Sequence, residues 1–324
     1  MAPPCELNTT VCVMDASSYL GSLLVRRLLL RGYTVHAAIQ THGGLHIIGC
    51  PTILDAIRHT IGDLHITGSS IVGSKMSYNT PCNQTYDTRL GGEEALEPLN
   101  GVLEWENNEK VKVFELDLFD YHSIVDALKG CSGLFYSFQP PLDHSTYDEY
   151  MAEVEVRAAH NVVEACAQTD TIDKVVFTSS ATAILWSSTH ADKKSSDLDE
   201  RHWSDINFCR NFKLWHALSK TVAEKSAWAL AMDRGVNMVS VNAGLVVSPD
   251  LTITNPYLKG AAEMYEDGVF VTVDLDFLVD AHVCVYEDVS TYGRYLCFNH
   301  TINHTAEAAK LAQTLNPSPS HLPR

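Results

Sequence analysis

The sequence predicts an α/β protein, a doubly wound parallel sheet with a small C-terminal lobe. Two observations predict it. Residues 9–39 read strand, turn, helix, strand, and strand-like runs then alternate with helical runs to residue 243, the pattern of parallel strands joined by crossover helices. With 324 residues, 45% of them apolar, the chain can bury a core of that size.

The first strand is TTVCVM at residues 9–14, short, apolar and rich in β-branched residues. Residues 19–31, YLGSLLVRRLLLR, carry apolar positions at helical spacing and basic residues towards the helix end, and Gly32 stops them. TVHAAI at 34–39 is the second strand. The alternation breaks over residues 44–91, which are low in charge and rich in Gly, Ser, Thr and Asn. It resumes with a short helix at 93–99, strands at 111–116 and 133–138, and helices at 121–128 and 147–169. A strand at 174–179, a helix at 212–234 and a strand at 236–243 complete the main run. Helices at 257–265, 275–286 and 305–315 and strands at 269–273 and 294–298 follow, and residues 316–324 form a Pro- and Ser-rich loose tail.

A net charge of −17 argues against nucleic acid or an anionic membrane face as partner. No stretch reaches the roughly 18 apolar residues of a membrane span, and residues 1–10 do not read as a secretory signal; the expected location is the cytoplasm. Nine cysteines without a CxxC pair read as reduced thiols rather than a disulfide framework, and no metal site is expected.

Six stretches carry a more specific message: VCVMDASSYLG at 11–21, GYTVHAAI at 32–39, LDL at 116–118, VVFTSS at 175–180, WHALSK at 215–220 followed by TVAEKSAW, and NAGLVVSP at 242–249. In this order they resemble the plant cinnamoyl-CoA reductase and dihydroflavonol reductase group of extended short-chain dehydrogenases/reductases. More narrowly, CVMDAS and KLWHAL are similar to a divergent cinnamoyl-CoA reductase-like branch. The resemblance spans nearly the whole chain except 44–91. It implies a Rossmann-type NAD(P)-binding fold over residues 8–315, mainly dinucleotide-binding to 248 and mainly substrate lobe from 249. It also implies NADP or NAD as cofactor and a phenylpropanoid-type carbonyl or thioester as substrate.

The resemblance assigns the cofactor to Asp15, Ser18, Tyr19, Leu20 and Gly21 in the first turn, to Gln40 after the second strand, to Asp117 and Leu118 after the third, and to Lys220. A Gly-rich turn admits a pyrophosphate to a helix N-terminus. Here Asp15 and Ser18 stand where the family has glycines, and only Gly21 remains. A carboxylate ~4 Å from a phosphate costs on the order of 4 kcal/mol at an effective dielectric of about 20, roughly 10³ in affinity. Alternatively Asp15 caps the first helix and points away. Gln40 stands where the family has an Arg that pairs with the 2′-phosphate of NADP, and cannot supply that charge.

The family's catalytic Ser and Lys match Ser180 and Lys220, but the Tyr position, four residues before Lys220 and on the same helix face, is His216. Imidazole can donate a proton, yet it is shorter than phenol; the alternative is a histidine packed into an emptied site. Trp215 is kept from the family's NWYCYGK signature and is the expected substrate contact, whereas Leu214 replaces its Asn and Ala243 replaces a Pro beside the nicotinamide. Two functions follow: a reductase with impaired catalysis, or a non-catalytic module that binds a small ligand or a protein partner through the old cleft. Residues 44–91 are either a surface excursion with a binding role or, the favoured reading, unspliced or mis-predicted sequence, since joining Gly43 to Gly92 restores strand, turn and helix.

Overall fold

A computed structural model describes residues 9–40, 109–140, 147–187 and 198–315. The segment 44–91, the helix expected at 93–99 and the tail 316–324 lie outside the described residues. The main sheet has seven strands, β1 (Thr10–Met14), β2 (Thr34–Gln40), β3 (Val111–Leu116), β4 (Gly133–Tyr136), β5 (Lys174–Ser180), β6 (Met238–Ala243) and β9 (Gly293–Cys297), in the order β3-β2-β1-β4-β5-β6-β9. Every pairing in it is parallel, with Val11 opposite Val35 on one side and Gly133 on the other.

Parallel strands need helices on both faces, and alternate side chains of β1 show how the two faces are filled. Cys12 and Met14 join a core with Leu134, Tyr136, Val175 and Phe177 beneath α2 (Tyr121–Leu128), α3 (Glu149–Ala167) and α6 (Trp215–Arg234). Val11 and Val13 face the other way, with Val35, Phe135 and Val176, against α1 (Tyr19–Leu30) and α8 (Leu275–Glu287). Met14, which replaces a family Thr, is therefore a core residue.

Two helices among the described residues of 182–211 lack a periodic signal of their own. They are α4 (Thr182–Leu185) and α5 (Ile206–Asn211), which the sequence pattern leaves unassigned. The helix expected from 212 begins instead at Trp215, because Lys213 takes a left-handed backbone (φ 55°) between α5 and α6. Gly235, also left-handed (φ 70°), ends α6 as a C-cap.

Beyond β6 the chain divides its allegiance. α8 and β9 return to the main sheet. A smaller sheet of β7 (Leu245–Val247), β8 (Val271–Asp274) and β10 (His300–Thr301) runs in the order β10-β8-β7. With α7 (Ala261–Glu266), α9 (Thr305–Leu315) and a 3-10 turn at Pro256–Leu258, it builds the lobe, whose apolar cluster includes Leu214, Ala217, Tyr257, Met264 and Leu311. Among the described residues no helix is long and apolar enough to cross a membrane.

A buried polar network ties α6 to the far edge of the sheet. Arg294 of β9 donates from Nε to Glu224 Oε1 at 2.8 Å and from Nη1 to the carbonyls of Glu200 and His202, with its guanidinium 3.5 Å over the Trp203 ring. Glu224 Oε2 accepts from Ser179 Oγ and Asn242 Nδ2, both at 2.7 Å. Removing one member of such a pair leaves a charge buried alone. Arg294→Ala is expected to lower unfolding stability by about 3–5 kcal/mol, read from urea denaturation; a loss under about 1 kcal/mol would show that the network contributes little.

Candidate active site

The strand order reverses between β1 and β4, so a crevice opens at their C-terminal ends, the place where ligands bind in such sheets. The turn after β1 occupies it. Ser18, not Asp15, is the N-cap of α1: its Oγ accepts from Gly21 N–H at 3.0 Å. This corrects the capping alternative for Asp15. The Ser18 hydroxyl donates back to the Asp15 carbonyl at 3.0 Å. The first-turn N–H groups of Tyr19 and Leu20 point out of the helix end, as helix geometry requires. Gly21 lies so close under the turn that a Cβ there would meet the Asp15 carbonyl oxygen at 2.0 Å, which explains why this glycine alone is kept.

Asp15 sits in the left-handed region (φ 71°), where glycine is at ease and Asp is tolerated at some cost. Its side chain is buried and Oδ2 has no hydrogen-bond partner among the described residues. Burial pushes its acidity constant up to about 8, against the smaller opposing pull of Ser18, Gln139 and Ser17 and the charge of Lys220. At neutral pH Asp15 is therefore largely a carboxylic acid, and the full like-charge penalty expected from the sequence does not apply. A neutral Oδ2–H beside a helix N-terminus has a hydrogen to give to a phosphate oxygen.

The residues that the resemblance marks as a catalytic row lie at the C-terminal edge of β5 and β6, where Ser180 pairs with Ala243. Ser180 Oγ accepts from Thr182 N–H at 3.2 Å and from Thr182 Oγ1 at 3.0 Å. Thr182 Oγ1 is 3.1 Å from His216 Nδ1. The His216 ring packs edge-on against Tyr147 (5.2 Å) and near Tyr257 (6.1 Å). Burial, reinforced by Lys220, lowers its acidity constant to about 3, so the ring is neutral across the working range. The charge of the Lys220 ammonium is the lesser of the two causes.

Lys220 does not stand free. Its Nζ donates to Glu155 Oε1 at 2.7 Å, a pair whose side chains are 11% and 2% exposed, and the Ser219 hydroxyl donates to the other Glu155 oxygen. Lys220 also lies 5.6 Å over the Phe138 ring. Tyr136 reaches into the same region, its buried hydroxyl without a partner among the described residues and its acidity constant raised well above normal by burial, then by Glu155 and Asp15.

The remaining predicted residues are more peripheral. Gln40, the last residue of β2, donates from Nε2 at 3.0 Å to the carbonyl of Ser137, just after β4. Asp117 Oδ1 accepts from Phe119 N–H at 2.9 Å, and the buried Leu118 accepts at its carbonyl from Asn161. Trp215 is half-buried at the start of α6, against the lobe cluster, with Leu214 buried beside it. Glu155, Thr182 and Gln139 were invisible as site residues in the sequence: a Glu between two valines in MAEVEV hints at burial, but neither its spacing nor that of Thr182 points to chemistry. Among the described residues no group of His, Cys, Asp or Glu is placed to hold a metal ion.

A dinucleotide fits this arrangement. The helix end and the orphaned Asp15 Oδ2 offer donors at one end, and Ser180, His216 and Lys220 stand at the other. At Gln40 itself a 2′-phosphate meets a neutral amide.

The raised Asp15 constant makes a pH-dependent prediction. Between its unfolded value, ~3.9, and about 8, the folded state holds one proton more than the unfolded state, so stability falls as pH rises through that window and levels off above it. Asp15→Asn keeps a neutral side chain of the same shape that tolerates positive φ. Its thermal midpoint is expected to match the parent near pH 4 and to exceed it increasingly up to about pH 8, the gap corresponding to on the order of 5 kcal/mol at most. A gap independent of pH in paired melting curves would mean that Asp15 ionises normally.

Comparison with known proteins places this geometry. A model of the 3-beta hydroxysteroid dehydrogenase/isomerase family matches residues 95–236. Cinnamoyl-CoA reductase 1 of Petunia hybrida is 35% identical over 95% of this chain and 77% of its own length, and cinnamoyl-CoA reductase 1 of Arabidopsis thaliana is 30% identical over 95% and 75%. Dihydroflavonol 4-reductase of Gerbera hybrida is 28% identical over 93% and 72%. Among solved structures, vestitone reductase from alfalfa (Medicago sativa) superposes with a TM-score of 0.60 at 23% identity, covering 95% of this chain and 82% of that one. Gre2 of Candida albicans, solved with NADPH, superposes at 0.58 with 16% identity, over 90% and 79%. By these relatives the chain belongs to the cinnamoyl-CoA reductase and dihydroflavonol reductase-like family of extended short-chain dehydrogenases/reductases.

Proposed function

We propose that this chain is a nicotinamide-dependent reductase of a phenylpropanoid-type carbonyl or thioester, working with reduced catalytic power. The observation that carries the proposal is the grouping of Ser180, Thr182, His216 and Lys220 at one end of the crevice whose other end is the α1 N-terminus. When bound, the reduced nicotinamide supplies the hydride. The N–H groups of Tyr19 and Leu20 and the neutral Asp15 would hold the pyrophosphate. Gln40, neutral and bonded to Ser137, favours NAD over NADP. Ser180 donates a hydrogen bond to the carbonyl oxygen and stabilises the charge that develops there. Catalytic power is reduced because the neutral His216 is a poor acid and is shorter than a phenol. The relatives named as cinnamoyl-CoA reductases support a thioester substrate, while Leu214, in place of the signature Asn, supports a different acyl or carbonyl group.

One observation favours the second reading, a non-catalytic module binding a small ligand or a protein partner. Lys220, the cation that should meet the cofactor ribose, is committed to Glu155 in a buried pair.

Calorimetric titration of NADH and NADPH into the protein and into Asp15→Gly separates the two. The reductase reading expects micromolar NADH binding, tighter than NADPH, and tighter again in Asp15→Gly. His216→Tyr is then expected to raise the single-turnover rate with an aromatic aldehyde by on the order of 10²-fold. Absence of binding in both proteins removes the reductase reading and leaves the binding module.

A further inference from the structure

The contacts around Ser180 have a direction. A hydroxyl carries one hydrogen, and Thr182 gives its own to Ser180 Oγ at 3.0 Å. The 3.1 Å contact between Thr182 Oγ1 and His216 Nδ1 is then a hydrogen bond only if Nδ1 carries the proton and donates it. Ser180 Oγ already accepts twice, from the Thr182 N–H and from the Thr182 hydroxyl. Its own hydrogen is left for an acceptor beyond the row. All the side-chain bonds therefore point one way, from His216 through Thr182 to Ser180 and outward. A neutral imidazole that donates from Nδ1 must accept at Nε2. Thr182 is itself fixed, since it opens α4 and its carbonyl accepts from the buried Ser204 hydroxyl at 2.7 Å. The Tyr147 and Tyr257 rings pack against the imidazole and hold its plane.

We propose that Thr182 is a relay hydroxyl joining His216 to Ser180, so that Ser180 delivers the proton to the substrate's carbonyl oxygen and His216 Nδ1 replenishes it. The proposal rests on the reductase reading. As the carbonyl carbon accepts a hydride from the reduced nicotinamide, its C=O π pair moves onto oxygen and takes the Ser180 proton. Ser180 takes the Thr182 proton, and Thr182 takes the proton from His216 Nδ1. The imidazole, of a residue that is only half-buried, takes a proton from solvent at Nε2. The substrate gains one hydride and one proton, and the ring ends as its other neutral tautomer without passing through an imidazolium. Ser180 is the catalytic residue of this step; Thr182 and His216 act through it and are positioning residues. The relay explains how a ring too short to reach the substrate still takes part in the chemistry.

The test needs no turnover to begin. Nitrogen-15 NMR of histidine-labelled full chain, with the His216 signals identified by their loss in His216→Gln, reports which ring nitrogen carries the proton. The parent and Thr182→Ser are expected to hold the Nδ1–H tautomer, and Thr182→Val to lose that preference. A parent protonated at Nε2, or a Thr182→Val variant with an unchanged tautomer, overturns the hydrogen-bond chain. If Thr182→Val fails to fold, the parent and Thr182→Ser spectra still decide the direction of the bonds. The kinetic arm uses NADH and an aromatic aldehyde in single turnover. Thr182→Val is expected to slow the chemical step by about tenfold or more, with the NADH dissociation constant unchanged, and Thr182→Ser to restore it. Equal rates in parent and Thr182→Val overturn the relay. A parent that binds NADH but reduces nothing overturns the reductase reading and, with it, proton delivery; the tautomer then judges only the hydrogen-bond chain.

Discussion

Helix α6 is fastened by two buried ionic contacts one turn apart, Lys220 to Glu155 of α3 and Glu224 to Arg294 of β9, and the cleft is arranged around the helix they hold. Residues four apart lie on one helical face, so the same seating that satisfies Lys220 and Glu224 also turns His216, one turn earlier, towards Thr182 and Ser180. The contacts are worth keeping in a low-dielectric interior only as complete networks, because each charge left alone there is costly. Both carboxylates are in fact saturated: Glu155 takes Lys220 and Ser219, and Glu224 takes Arg294, Ser179 and Asn242. Ser179 and Asn242 are the chain neighbours of Ser180 and Ala243, so the network also sets the strand ends that form the floor of the cleft.

The same electrostatics explains how an acidic residue can occupy a phosphate turn. In water Asp15 would carry a full charge and repel a pyrophosphate. Buried against α1, with one oxygen unpartnered, it is easier to protonate than to ionise. The backbone of the turn keeps the left-handed conformation that suits a glycine, at a modest cost in strain. What distinguishes this turn from a glycine-rich one is bulk and a titratable group, rather than a fixed negative charge. Lys220 faces a parallel situation, its charge balanced by Glu155, so that a bound ribose would have to compete for it.

Most of the architecture was legible in the sequence. Apolar strand runs such as those of β1 and β5 and amphipathic stretches such as α3 and α6 are local signals, and their order left few arrangements of a parallel sheet. The pieces that escaped were α4, α5, β7 and β10, each six residues or shorter, which have no periodicity of their own and form because the lobe packs against them. The candidate residues Ser180, His216 and Lys220 were read from their spacing and from resemblance. Their partners were not, since Thr182 reaches His216 across 34 residues and Glu155 reaches Lys220 across 65.

The sequence by itself therefore determined the class of fold, the family and the substitutions at Asp15, Gln40 and His216, because those reside in local pattern and in residue identity. Tertiary structure alone decided what the substitutions do. Protonation of Asp15, the neutral state of His216, the commitment of Lys220 and the direction of the Ser180–Thr182–His216 bonds all depend on burial and on neighbours brought from distant parts of the chain. The free energy of a charge or a hydrogen bond is set by its surroundings, and those surroundings exist only once the chain has folded.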